Sequence, residues 1–142
     1  KEHTSMATKL TTVVKLSVAH AEAVELVVAK LAEVKFGVLT RIDAQATLRA
    51  KIQREIPPMV MLGACNPGIA AGVMDAAPAA ATLLPCTVVV KELPEGGVVC
   101  MVPSATKMFS VLDASEIVDK AALDTVVATA QASIDKFVEL LS

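Results

Sequence analysis

Two spacings of hydrophobic residues recur along this chain, one typical of strands and one typical of amphipathic helices. Short apolar runs bounded by polar, glycine or proline residues predict five strands. These strands are predicted at residues 8–16, 36–42, 59–65, 86–91 and 98–102. Longer segments, with apolar residues three and four apart, predict helices between and after them. The helices are predicted at residues 18–35, 44–56, 67–77 and 103–112, with a last helix running from a cap at Asp113 to the C-terminus.

This order of elements predicts an α+β domain with one mixed five-stranded sheet and helices packed on it. The turn sequence LPEGG at residues 93–97 predicts a hairpin between the last two strands. We expect one domain over residues 8–142, preceded by an end, residues 1–7, that is disordered or not native. The last helix carries the clearest apolar stripe, which must lie on the sheet or on a partner. The stripe is Leu123, Val127, Ala130, Ile134, Val138 and Leu141.

Composition narrows the classes of partner. The chain has no Trp or Tyr and only three Phe, so it has few side chains that stack on nucleic-acid bases. A formal net charge of −2 also argues against binding a phosphate backbone. No apolar run is long enough to span a bilayer, and no signal peptide is visible. Three cysteines, an odd number, suggest free thiols in a reducing compartment. We therefore predict a cytoplasmic protein that binds neither nucleic acid nor membrane.

The candidate chemistry gathers where predicted strands meet predicted helices. The apolar run MVMLGA ends on Cys65, and Asn66 with the following proline is a favoured start for a helix. A helix N-terminus can lower the pKa of a neighbouring thiol and can hold an anion. Cys86 begins the next strand, and Asp43 should cap the second helix. We therefore treat Cys65, Asn66, Cys86 and Asp43 as candidate ligand-binding residues, with inert core cysteines and simple helix caps as the alternatives.

The two cysteines should lie at one edge of the sheet. If their strands are antiparallel neighbours, the end of one meets the start of the other. Cys65 and Cys86 would then be nearer to each other than to Cys100. That arrangement leaves three readings open: small buried hydrophobes, reactive thiols, or ligands for a soft metal. No metal-ligand spacing or cofactor motif accompanies them, so we predict neither a metal nor a cofactor.

Four blocks together resemble one known family. They are FGVLTRID (residues 36–43), ATL (46–48), LGACNP (62–67) and LLPC (83–86), the last followed by VVV (88–90). Their order and spacing are similar to those of the domain-of-unknown-function family numbered 302. The resemblance implies a fold similar to the TATA-box-binding-protein-like folds, and a homodimer. It implies no activity. The 54% hydrophobic content, high for one small domain, also favours a dimer.

The sequence therefore favours a small homodimeric domain that binds a small molecule or an anion near Cys65, Asn66 and Cys86. A second hypothesis is a thiol-dependent redox or sulfur-relay protein using Cys65. A third is a structural interaction module. No histidine or carboxylate is tied by sequence to a nucleophile, so an enzyme is the less favoured class.

Overall fold

The structure is a computed structural model that describes residues 3–4, as backbone, and residues 9–142. Its strands are β1 (His3–Thr4), β2 (Thr11–Leu16), β3 (Gly37–Asp43), β4 (Met59–Cys65), β5 (Cys86–Glu92) and β6 (Val98–Pro103). Its helices are α1 (His20–Glu33), α2 (Ala44–Ile52), α3 (Pro67–Ala76), α4 (Ala105–Phe109) and α5 (Lys120–Leu141), with 3-10 turns at Pro78–Leu83 and Ala114–Glu116. The α+β class and the five main strands are confirmed. The prediction for residues 1–7 falls largely outside the described residues and stays a prediction.

The sheet is antiparallel throughout, so the predicted mixed sheet is wrong. Its spatial order is β1-β2-β6-β5-β4-β3, and every neighbouring pair runs antiparallel. The reason lies in the connections. Asp43 at the end of β3 pairs with Val60 near the start of β4, so α2 leaves and re-enters the sheet at the same end. A helix between two strands suggested a crossover to a parallel neighbour, but here it acts as an enlarged hairpin loop.

One face of the sheet forms the core with α1 and α5. Strand alternation places one set of side chains on this face, and they are buried together with the apolar faces of the two helices. The strand residues are Val14, Leu16, Leu62, Ala64, Val88, Val90, Val98, Cys100 and Val102. The helix residues include Val24, Val27, Leu31, Leu123, Ala130, Ile134 and Phe137. The predicted stripe of α5 is therefore confirmed as core, apart from the half-buried Val127.

Helix starts follow local capping chemistry. The Asp43 carboxylate accepts the Ala46 N–H at 2.9 Å and caps α2, as predicted. The capping box at Asp113 also forms, but it begins a single 3-10 turn rather than the last helix. That helix starts later, where Asp119 accepts the Ala122 N–H at 3.0 Å. None of the described helices is long and apolar enough to cross a bilayer.

Candidate functional site

The predicted site residues fall at two opposite ends of β4. Cys65 is the last residue of β4 and Asn66 follows it, and Cys86 begins β5 beside them, since it pairs with Ala64. Asp43 pairs with Val60 at the other end of the same strand. Five residues of strand separate the two ends, about 17 Å at 3.3 Å per residue. The structure therefore brings Cys65, Asn66 and Cys86 to one end and leaves Asp43 at the other, so the two helix N-termini do not share a pocket.

The two cysteines share an edge but not a face. Cys100 pairs with Val90, four residues along β5 from Cys86, so the predicted order of proximity is confirmed. Ala64, the pairing partner of Cys86, is buried in the core, and strand alternation places Cys65 on the opposite side of the sheet. All three cysteines are free thiols. The arrangement does not favour a disulfide.

Cys86 borders a small apolar cavity in the core. The space beside it measures about 10 Å³, at the lower limit for one water molecule, and apolar side chains surround it. Burial raises the pKa of Cys86 to about 11, and the neighbouring Cys65 adds to the rise. Burial raises the pKa of Cys100 to about 12. Both thiols are therefore almost wholly protonated at neutral pH, which does not suit nucleophilic chemistry.

A large open groove lies beside Asn66, on the helical side of the sheet. Its volume is about 750 Å³, and it runs between the start of α3 and the exposed side of α5. The residues that line it are Val34, Lys35, Asn66, Gly68, Ile69, Asp119, Ala121, Ala122, Thr125, Val126, Thr129 and Ser133. Cys65 and Cys86 are not among them. Of the predicted site residues, Asn66 alone contributes to the groove.

Lys35 lines the groove near Asn66, because Gly37, two residues after it, pairs with Cys65. Its backbone is left-handed, with φ of 68°, because the chain turns there from α1 into β3. The Lys35 N–H donates to Ala32 O at 3.0 Å, and the next N–H, of Phe36, donates to Leu31 O at 2.9 Å. These bonds end α1 as a C-cap does, in a position that glycine usually occupies. Among the described residues, no carboxylate lies within ion-pair distance of this lysine.

The start of α3 adds a backbone donor at the same end. The Asn66 side chain accepts the Ile69 N–H at 3.1 Å, and its carbonyl accepts the Ala70 N–H at 2.9 Å. Pro67 has no N–H. Gly68 is therefore the first-turn residue whose N–H has no partner among the described residues, and it lines the groove. An unpaired N–H at a helix N-terminus favours a negative group.

The middle of the groove is lined by apolar groups and hydroxyls. Ile69 and Val126 are half-buried there, beside a close contact between the two helices. A Cβ at Gly72 would lie 3.0 Å from Val126 Cγ2, so this glycine allows α3 to approach α5. The Thr125 and Thr129 hydroxyls donate to backbone carbonyls one turn earlier, at 3.0 and 3.1 Å. Their oxygens remain free to accept.

A second, smaller cavity surrounds Asp43 at the other end of the sheet. It measures about 330 Å³, and His20, Glu25 and Arg41 also line it. The imidazole Nε2 of His20 lies 2.9 Å from Val90 O. Arg41 donates to Glu25 at 2.8 Å and holds the pKa of that carboxyl below its usual range. The polar groups of this cavity are thus occupied with one another and with capping. Within residues 9–142, no three metal-ligand side chains come together.

Sequence reasoning missed most of the groove. Lys35 gave no signal, because a turn in the left-handed region is usually marked by glycine or asparagine. The α5 residues of the groove appeared only as the polar face of an amphipathic helix. The N–H of Gly68 gave no signal, because its role as a donor depends on how the groove forms around the start of α3.

The fold and the groove define a small α+β domain, in which one antiparallel sheet carries a helical layer with an open groove on its surface. The chain belongs to the family described as domain of unknown function DUF302, whose model matches residues 11–141. The resemblance predicted from the four sequence blocks is confirmed. No curated protein matches the chain.

Comparison with solved structures supports the fold. The chain is similar to the crystal structure of the uncharacterized conserved protein DUF302 from Bacillus stearothermophilus, with a TM-score of 0.81. The identity is 24%, and the alignment covers 94% of this chain and 98% of that chain. At this identity the likeness shows the fold. The expected relation to TATA-box-binding-protein-like folds stays a prediction.

Proposed function

We propose that this chain is a binding domain for a small amphipathic molecule with one anionic group, held in the groove between α3 and α5. The observation that supports the proposal most strongly is that Lys35 and Gly68, whose N–H has no partner among the described residues, both line one largely apolar groove. A cation and a backbone donor at a helix start stabilise a negative group. Asn66, which the sequence singled out, positions that helix start.

The shape of the groove favours an elongated ligand. Asp119 and Ser133 mark its extent along α5. Fourteen residues of helix span about 21 Å at 1.5 Å per residue. The carboxylate of Asp119 lies at the far end from Lys35, so an anionic head should enter at the Lys35 end. The apolar body would then lie on Ile69 and Val126, within reach of the threonine hydroxyls.

The thiols have no direct role in this proposal. Neither Cys65 nor Cys86 lines the groove. The redox or sulfur-relay hypothesis needs an accessible Cys65, and alkylation of the folded protein at neutral pH tests it separately. The interaction-module hypothesis predicts no ligand. We also propose that the domain is cytoplasmic, as its odd number of cysteines suggested, and that it works as a homodimer, as the resemblance implied.

Calorimetric titration with a series of straight-chain carboxylates from butyrate to decanoate tests the proposal. We expect affinity to rise by up to about fourfold per methylene, since a buried methylene contributes about 0.8 kcal/mol, and then to level off as the chain outgrows the groove. Asn66→Asp keeps the helix cap but adds a negative charge at the head-group end. We expect it to weaken octanoate binding about fivefold, because like charges a few ångströms apart repel by about 1 kcal/mol.

Ala19→Asp is the matched control. Ala19 is the N-cap of α1, at the opposite end of that helix from Lys35, and it makes no side-chain cap bond. The substitution adds the same charge at a helix start remote from the groove, so octanoate binding should not change. Equal weakening by both variants, or the absence of any binding by decanoate, would refute the proposal.

A further inference from the structure

The face of the sheet opposite the core carries a straight apolar row. The pairing register aligns one residue from each main strand across the full width of the sheet. The row is Val13, Met101, Val89, Met61 and Ile42, and we call this side of the sheet the outer face. Four of these residues alternate with core residues along their strands, and the fifth, Ile42, lies on the same side because it pairs with Met61. All five therefore point away from α1 and α5.

The row is not part of the hydrophobic core. None of its five residues is buried, and none packs against the core cluster of the described residues. Ile42, at the β3 end, is 43% exposed. An apolar row of this extent on the surface of a small domain indicates a contact surface.

The rows on either side differ in charge. On one side, Lys15 and Lys91 flank Val99 in the register. On the other side, Thr11 and Thr87 occupy the corresponding positions of β2 and β5. The outer face therefore has an uncharged centre, one basic margin and one hydroxyl margin.

The size of the outer face suits a dimer. Five strands at about 4.8 Å spacing and three rows at about 6.7 Å spacing, with side-chain width added, give a footprint of roughly 24 by 20 Å. Two such footprints total about 1,000 Å², which is the lower limit for a stable protein interface. Side chains that protrude from the sheet add to this area. Two twisted sheets of the same shape stack face to face about 10 Å apart.

We infer that the outer face binds the outer face of a second copy of this chain, about a two-fold axis that runs along the apolar row. This inference rests on the homodimer proposed above and names its surface. Because β5 is the central strand of the five, Val89 lies at the centre of the contact and faces its own copy. The axis along the row places Lys91 over the hydroxyl margin of the partner, near its Thr87.

Charge distinguishes this axis from the alternative. A two-fold axis along β5 would place Lys91 over its own copy, and two like charges would then meet in a contact that excludes water. The axis along the row sets the basic margin of each copy against the uncharged margin of the other. Both lysines then lie beside threonine hydroxyls, which can accept hydrogen bonds from them.

Sedimentation velocity across a concentration series tests the inference with three variants. The wild-type chain should be a dimer at micromolar concentration. Val89→Glu sets two carboxylates against each other at the centre, and we expect the dimer dissociation constant to rise at least a hundredfold. Val118→Glu is the control, because Val118 lies off the sheet and is 75% exposed. It should leave the dimer unchanged.

Thr87→Glu tests the direction of the axis. Because Thr87 is exposed, the substitution should not disturb the fold. With the axis along the row, the new carboxylate lies near Lys91 of the other copy, and the dimer should tighten severalfold. With the axis along β5, two carboxylates meet and the dimer should weaken, which overturns the proposed geometry.

A wild-type monomer, or a dimer that persists in a Val89→Glu variant with native circular dichroism, overturns the surface itself. If Val89→Glu does not fold, the Thr87→Glu result decides. Neither result changes what carboxylate titration of the groove would show. The dimer surface and the groove can therefore be refuted independently.

Discussion

Replacing Lys35 with glycine should stabilise the folded protein and weaken anion binding in the groove. The backbone φ of 68° at Lys35 lies in the region that costs a residue with a Cβ about 1–2 kcal/mol, and glycine enters it freely. Part of this gain is lost because glycine is more flexible in the unfolded chain. We therefore expect the free energy of unfolding to rise by about 0.5–1 kcal/mol, or roughly 2–4 °C in Tm for a domain of this size.

The same substitution removes the cation beside Gly68. An exposed charge pair contributes about 1 kcal/mol or less, so octanoate affinity should fall by up to about fivefold. Lys35→Arg keeps the charge and should retain the affinity. Stability is measured by urea denaturation followed by far-ultraviolet circular dichroism, since the chain has no Trp or Tyr for fluorescence. Affinity is measured by calorimetry on the same samples.

Gln53→Gly is the matched control. Gln53 ends α2 with φ of 55°, so glycine should stabilise the protein there by a similar amount. It is not a groove residue, and octanoate affinity should be unchanged. A destabilised Lys35→Gly variant would refute the backbone argument. Loss of affinity in both glycine variants, or in neither, would refute the role assigned to the lysine.

Three further predictions concern the fold and the thiols. Leu62→Ala removes a side chain that is fully buried at the centre of the sheet, and it should lower the free energy of unfolding by about 2–5 kcal/mol in urea titration. Gly63→Ala should cost about 1–3 kcal/mol in the same assay, because its Cβ would lie 2.5 Å from Thr40 Cγ2. The native pKa values of Cys86 and Cys100, about 11 and about 12, lie above the ordinary value of 9.0, so the unfolded chain releases these protons first. Stability should therefore be complete below about pH 9 and fall as pH rises from there towards pH 12.

Each of these predictions has a control on the same chain. Leu39→Ala alters an exposed leucine of β3 and should change stability by less than about 0.5 kcal/mol. Thr40→Ser removes the methyl group that a Cβ at residue 63 would contact, so it should restore part of the stability of Gly63→Ala. The variant with Cys86 and Cys100 both replaced by alanine should start less stable but lose less stability between pH 9 and pH 12. An unchanged alkaline slope in that variant would contradict the burial argument.

Local chemistry allowed much of the fold to be predicted from the sequence. Asn66 and Asp43 were recognised as helix caps because a short polar side chain before a helical pattern has one common use. The apolar stripe of α5 and the alternation in β5 likewise follow from a single spacing. The direction of β4 relative to β3 could not be predicted, because it depends on whether the chain after Asp43 returns to the same end of the sheet. No local pattern encodes that return.

The groove and the outer face could not be predicted for the same reason. The groove joins residues from three segments that meet only after α3 packs antiparallel to α5. The cation of the groove is Lys35, which occupies a turn position where glycine or asparagine would be expected. The apolar row depends on the register of five strands, and a shift of one residue would turn Val89 into the core. Proximity of Cys65 and Cys86 was foreseen, but their placement on opposite faces depends on that same register.

An amide shift titration by NMR with decanoate tests the central claim most directly. The largest shifts should occur at Gly68 and Lys35, next to the carboxylate, with smaller shifts at Ile69 and Val126 along the apolar body. Amides around Asp43, at the far end of the sheet, should not move. Shifts centred on Asp43, or none at Gly68 at saturating decanoate, would contradict the assignment of this groove as the binding site.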